Sequence, residues 1–126
     1  MKILLCSVPD GPLEESLKPY SSFIRPIGIT RLIDWMETNG YSGDIYDINN
    51  LRPSDEELIK VFKKINPTIV GLSATLTHCY PNVKRITKLL RQLFPDIWIV
   101  VGGHITSSAN VILKRTETDI CIVGDG

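Results

Sequence analysis

Ile97-Trp98-Ile99-Val100-Val101-Gly102-Gly103-His104 carries the clearest fold signal in this chain. Five β-branched or aromatic residues in succession end abruptly in two glycines. An apolar run of this length predicts a strand covered on both faces, as in a parallel sheet. The glycines put bare backbone at its carboxyl end, where open parallel sheets bind ligands. No obvious acid, base or nucleophile stands there. The pattern therefore points to something bulky lying against backbone, not to a proton being moved.

The same alternation repeats on both sides of this run. Lys2 to Val8 predicts the first strand, followed by a long Pro-containing connection from Pro9 to Pro26, and connections of that length are often functional. A helix is predicted from about Ile27, with Ile29, Leu32, Ile33 and Met36 on one apolar stripe and Asn39-Gly40 as its stop. Asp44 to Ile48 predicts a short second strand. Ser54 and Glu57 have the spacing of a capping box, opening a helix to about Ile65, and Asn66-Pro67 ends it. Thr68 to Ser73 is the third strand and about Pro81 to Phe94 the next helix, with Val83, Ile86, Leu90 and Leu93 on one face. After Ile97 to Val101 come a weaker helix over about Ser108 to Arg115 and a fifth strand over Asp119 to Val123. The chain then reads Gly124-Asp125-Gly126.

Strand and helix alternating five times predict an α/β fold: a five-stranded parallel sheet in the flavodoxin-like order 2-1-3-4-5, a Rossmann-like three-layer sandwich. That fold uses a helix after the fifth strand to cover the face shared with the first helix. No such helix fits before Gly126. One sheet face is thus expected to expose apolar surface, to be covered by a further part of a longer protein or by a second copy in a dimer.

Length, charge and cysteines narrow the function. The 126 residues suit one domain, spanning 1–126, and 43% apolar content can fill one core. Fourteen basic residues balance fourteen acidic ones, which argues against a strong electrostatic grip on nucleic acid or anionic membrane. No apolar run is long enough to span a bilayer, and Ile3 to Val8 is too short for a signal-peptide core, so the cytoplasm is the expected compartment. Cys6, Cys79 and Cys121 are odd in number and widely spaced, which argues against a disulfide framework. Cys6 and Cys121 read as small core residues. Cys79 follows His78, but no second Cys or His stands at metal-ligand spacing.

The strand ends converge on one edge. The residues there are Pro9-Asp10, Asn49-Asn50, Ser73-Ala74-Thr75-Leu76-Thr77, Gly102-Gly103-His104 and Gly124-Asp125-Gly126. Ser73, Thr75 and Thr77 can hydrogen-bond a ligand's amide or phosphate, or satisfy the loop's own backbone. Gly102-Gly103 admits a bulky group or simply makes a tight turn. His104 can be a ligand, a base or a loop residue. Asp10 and Asp125 are too isolated to work as paired carboxylates. A dinucleotide fingerprint is excluded, because Val8-Pro9-Asp10-Gly11-Pro12 follows the first strand. A Walker loop is absent. Ser73 stands in the region where a phosphate receiver would need its Asp.

Together, Pro26-Ile27-Gly28-Ile29, Asn39-Gly40-Tyr41, Asn66-Pro67-Thr68-Ile69-Val70-Gly71-Leu72-Ser73, Phe94-Pro95, Val100-Val101-Gly102-Gly103-His104 and the segment from Asp119 resemble a known pattern. It is that of the cobalamin-binding domain at the N-terminus of many radical SAM enzymes. The resemblance spans nearly the whole chain except Pro9 to Arg25. It implies cobalamin held at the strand ends, with the corrin over the loops and the nucleotide tail threading into the domain. It implies a cofactor-binding set of Ser73, Thr75, Leu76, Gly102, Gly103, His104 and Gly124, with no catalytic residue and no metal ligand in this chain. Ser73 and Thr75 would meet the tail or corrin amides, and Gly102 and Gly103 would let the tail pass close to backbone. The Asp-x-His-x-x-Gly motif of cobalamin mutases is absent, so the lower axial ligand would not be a histidine from the first loop. The 4Fe–4S cluster and S-adenosylmethionine would belong to a downstream catalytic domain carrying Cys-x-x-x-Cys-x-x-Cys. That domain would be this chain's partner, and this chain alone would not cleave S-adenosylmethionine. The alternative is a degenerate domain that shapes a substrate channel without cobalamin.

Overall fold

The computed structural model describes residues 1–11 and 26–124. The longer part of the Pro9–Pro26 connection and Asp125-Gly126 lie outside the described residues. The elements are β1 (Ile3–Ser7), α1 (Ile27–Thr38), β2 (Gly43–Tyr46), α2 (Ile48–Leu51), α3 (Asp55–Ile65), β3 (Ile69–Ser73), α4 (Tyr80–Leu93), β4 (Trp98–Gly102), α5 (Ala109–Arg115) and β5 (Ile120–Cys121). Short 3-10 turns at Thr77–Cys79 and His104–Ser108 lead into α4 and α5. All strands are parallel, in the order β2-β1-β3-β4-β5. This is the α/β architecture that the alternation predicts.

Local chemistry explains the boundaries. The Ser54 hydroxyl accepts from the Glu57 N–H at 3.3 Å and starts α3, whose first turn carries Asp55, Glu56 and Glu57 against the positive helix end. Asn66, in the left-handed region with φ 51°, ends it. The second strand stops two residues earlier than its apolar run suggests. The Asp47 side chain accepts from the Asn50 N–H and caps a one-turn helix, so Ile48 is buried as a helical residue, not a strand residue. The fifth strand is shorter than expected, pairing only Ile120 with Val100 and Cys121 with Val101.

The pleat divides the sheet's side chains between two unequal cores. Leu4, Cys6, Val70, Leu72, Ile99 and Val101 point to one face, where α3, α4 and α5 supply Leu58, Phe62, Val83, Ile86, Leu90 and Ile112. Most of these are fully buried. On the opposite face, among the described residues, Leu5 packs with Ile3 against Ile29, Ile33 and Met36 of α1. Toward β4 and β5 that face is open: Trp98 is 56% exposed, and Ile120 and Ile122 are 43% exposed. No helix follows β5 among the described residues. The half-covered sheet inferred from the sequence is therefore present.

Candidate functional site

The open face holds a groove of about 410 Å³ between α1 and the sheet. Register builds its floor. Leu5 pairs with Gly71 and Gly71 with Val100; one step toward the carboxyl edge, Ser7 pairs with Ser73 and Ser73 with Gly102. Gly28, Ile29 and Leu32 of α1 form one wall, and Ile122 and Gly124 lie on the β5 side. Five glycines line this space: Gly28, Gly71, Gly102, Gly103 and Gly124. A β-carbon built on Gly28 or Gly102 would meet no protein atom within 4 Å. At those two positions the missing side chain leaves open volume, whereas Gly71 is covered by Leu5 and Gly103 by the Ala74 backbone; the open positions suit a flat group lying against backbone.

Polarity is sparse and concentrated at the carboxyl edge. Among the described residues no charged side chain lines the groove, and Ser73 is the one that brings a side-chain hydroxyl. The two serines of the edge row differ. The Ser7 hydroxyl is engaged toward β2, donating to Asp47 and accepting from the Asn49 N–H at 3.2 Å. The Ser73 hydroxyl makes no hydrogen bond among the described residues, and Ser73 lines the groove.

The strand exits around this edge are joined by backbone hydrogen bonds. Val8 N–H donates to Ser73 O at 3.0 Å, Ala74 N–H to Gly102 O at 3.0 Å and Ile105 N–H to Ala74 O at 3.2 Å. Gly103 adopts φ 97°, and the buried Thr106 donates to its carbonyl from both hydroxyl and backbone N–H.

Of the residues singled out by sequence, Ser73, Gly102, Gly103 and Gly124 come together in the groove lining. Thr75, Leu76 and His104 are exposed and stand on the exit loops outside that lining. Cys79 is fully buried, its thiol 3.7 Å from Val8 O, and burial pushes its pKa up. Sequence reasoning missed Leu5, Gly71 and Val100 as groove residues. A glycine inside the apolar run Ile69-Val70-Gly71-Leu72 was the available signal, since it weakens a strand unless something must approach the backbone.

A parallel sheet of order 2-1-3-4-5 with an apolar, glycine-floored groove opening at its carboxyl edge defines a ligand-binding domain of the doubly wound class. The model of the B12 binding domain family matches residues 19–126. The chain belongs to that family.

Curated relatives include the cytidylyl-2-hydroxyethylphosphonate methyltransferase of Streptomyces wedmorensis, 25% identical over 119 residues, covering 80% of this chain and 22% of the relative. An uncharacterized methyltransferase of Pyrococcus horikoshii is 26% identical over 72 residues, covering 56% of this chain and 16% of the relative. Among solved structures, a cobalamin-binding protein from Desulfitobacterium hafniense superposes with a TM-score of 0.66 at 24% identity. The monomethylamine corrinoid protein of Methanosarcina barkeri superposes with a TM-score of 0.65 at 14% identity. Both cover 98% of this chain, which spans 53% of each, and at these identities they show the shared fold. The chain thus spans about a fifth of the length of the curated relatives and about half of the structural ones.

Proposed function

We propose that this domain binds cobalamin, with the nucleotide tail in the glycine-lined groove and the corrin at the carboxyl edge. The observation that carries this reading is the apolar groove floored by Leu5, Gly71, Val100, Ser73 and Gly102, with open space over Gly28 and Gly102 where side chains would otherwise stand. Apolar walls suit an aromatic base, and the Ser73 hydroxyl suits a polar group at the mouth. Thr75, Leu76 and His104 stand on the exit loops, where they would meet the corrin side, and Gly103 and Gly124 flank the passage between. Bound there, cobalamin supplies a cobalt centre able to carry a methyl group; this chain's residues position it and exclude water from its tail.

We further infer that the whole protein is a radical SAM enzyme, a methyltransferase or a relative, in which this domain serves a catalytic domain in the same chain. The motif pattern from Pro26 to Gly124 supports that reading, as does similarity to two methyltransferases much longer than this chain.

Titration of the purified protein with hydroxocobalamin, followed by its visible spectrum, tests the first reading. A saturable spectral change that Gly102→Leu abolishes is expected, and no change in the unsubstituted protein overturns it. Iron and sulfide analysis of the anaerobically purified full-length protein tests the second reading; absence of an iron–sulfur cluster overturns it.

A further inference from the structure

The exit of β1 (Ile3–Ser7) is held in an unusual way. Four consecutive carbonyls accept hydrogen bonds from side chains that other elements supply. Val8 O accepts from the Cys79 thiol at 3.7 Å. Pro9 O and Gly11 O both accept from the Asn82 amide, at 3.0 and 2.9 Å. Asp10 O accepts from Arg52 Nη2 at 3.3 Å, and the same nitrogen pairs with the Asp10 carboxylate at 3.0 Å. A main-chain bond adds to these, from Gly11 N–H to His78 O at 3.2 Å.

The two principal donors are placed at a cost. The Arg52 side chain is 2% exposed, a position that demands partners for a guanidinium. Its own backbone is left-handed, φ 45°, which is unfavourable for arginine. Arg52 is fixed in turn by Asn49, whose carbonyl and side-chain oxygen accept from it at 3.0 and 3.2 Å. Asn82 is 6% exposed in the first turn of α4 (Tyr80–Leu93). Strand pairing does not require either residue: β1 is already hydrogen-bonded to β2 and β3 along its length. Among the described residues, the contacts of both with the β1 segment fall where the chain leaves the sheet.

That point adjoins the groove. Val8 N–H donates to Ser73 O, Ala74 N–H to Gly102 O and Ile105 N–H to Ala74 O. Fixing the β1 exit therefore fixes the carbonyl of Ser73, and through it the rim that carries the unengaged hydroxyl and the two glycines. We propose that Arg52 and Asn82 are positioning residues that hold the β1 exit so that the Ser73–Gly102–Gly103 rim is preset before cobalamin arrives. The inference rests on the cobalamin reading above. A preset rim needs less ordering when the ligand binds, and that saving appears as affinity.

The test uses Arg52→Met and Asn82→Leu, which keep bulk and remove the donors, with Arg52→Lys as the conservative variant. Arg91→Met is the control, since Arg91 braces the far edge of the sheet through Asp119 and does not touch the β1 exit. Hydroxocobalamin affinity is measured on each, at temperatures set an equal distance below each melting point. Arg52→Met and Asn82→Leu are expected to bind at least about tenfold more weakly than the control, with Arg52→Lys between. Amide exchange at Gly11 in the ligand-free protein is expected to quicken in both. Affinities equal to the control's, or unchanged Gly11 exchange, overturn the inference. Failure of the unsubstituted protein to take up cobalamin overturns the cobalamin reading instead. The exchange at Gly11 then still decides whether Arg52 and Asn82 hold this exit: faster exchange in both variants supports the positioning role, and unchanged exchange ends it.

Discussion

Gly103 lies directly on the backbone of Ala74: a β-carbon built on it would stand 2.3 Å from the Ala74 carbonyl oxygen and 2.8 Å from its carbonyl carbon. The obstacle is main chain, which cannot swing aside, and φ at Gly103 is 97°. Gly103→Ala must therefore separate the β3 and β4 exits. A loss of about 2–4 kcal/mol in unfolding free energy is expected, with loss of cobalamin uptake. Gly102→Ala is the counterpart, since its β-carbon would meet nothing within 4 Å. It should leave stability within about 0.5 kcal/mol while weakening binding, because the methyl group enters the groove. Urea denaturation and cobalamin titration on both variants check the pair. Equal stabilities would contradict the close approach.

The far edge of the sheet depends on one arginine. Arg91 on α4 donates to Pro95 O and Ile97 O and grips both oxygens of Asp119 at 2.8 and 2.7 Å. Asp119 also accepts from the Ile99 N–H at 2.8 Å, extending the short β4–β5 pairing by a side chain. A charge-assisted contact in which one guanidinium nitrogen reaches both carboxylate oxygens while the other satisfies backbone carbonyls is worth more than an exposed ion pair. Asp119→Ala is expected to cost about 2 kcal/mol. Asp55→Ala, which removes the more exposed partner of Arg85, should cost under about 1 kcal/mol. Chemical denaturation of the two variants side by side measures the difference.

Cys6 is fully buried between the sheet and its helices, and burial drives its thiol pKa far upward. The folded state therefore holds the neutral thiol, while the unfolded chain ionises near the ordinary value of about 8.5. The folded pKa is raised, so this contribution is complete below that pH and is lost as pH rises above it. The slope is about 1.4 kcal/mol per pH unit for this one group. Cys6→Ala removes the dependence. Unfolding free energies at pH 9 and pH 10 should fall less in the variant than in the parent by about that amount. Parallel declines would mean that Cys6 is not the group responsible.

Much of this molecule was legible because local and long-range signals agree. Ser54 and Glu57 mark the start of α3, and the run Ile97–Val101 followed by Gly102-Gly103 marks β4 and its role at the carboxyl edge. The one-turn helix Ile48–Leu51 was not legible, since Ile45-Tyr46-Asp47-Ile48 reads as a continuing strand until Asp47 is seen capping Asn50. The site was half legible. Ser73, Gly102, Gly103 and Gly124 announce themselves at strand ends, but Leu5, Gly71 and Val100 enter the groove through register across three strands. Arg52 and Asn82 were invisible for a related reason: they lie 42 and 71–73 positions along the chain from the carbonyls they hold.

The pleat sends two adjacent residues of β4 into opposite environments. Ile99 is fully buried against α3–α5, whereas Trp98, pointing to the other face, is 56% exposed on the side of the sheet that also bears the exposed Ile120 and Ile122. Ile99→Ala should cost about 2–5 kcal/mol, the range for emptying a packed aliphatic site. Trp98→Lys should cost less than about 1 kcal/mol, because it removes little buried area and affects mainly strand propensity. The open face should bind an apolar fluorescent dye in the folded state, and Trp98→Lys combined with Ile122→Lys should remove most of that signal while the unfolding midpoint barely moves. If Trp98→Lys proves as damaging as Ile99→Ala, the face around Trp98 is covered in solution and the dye should find no site there. The dye experiment and the denaturation experiment must therefore agree, and each checks the other.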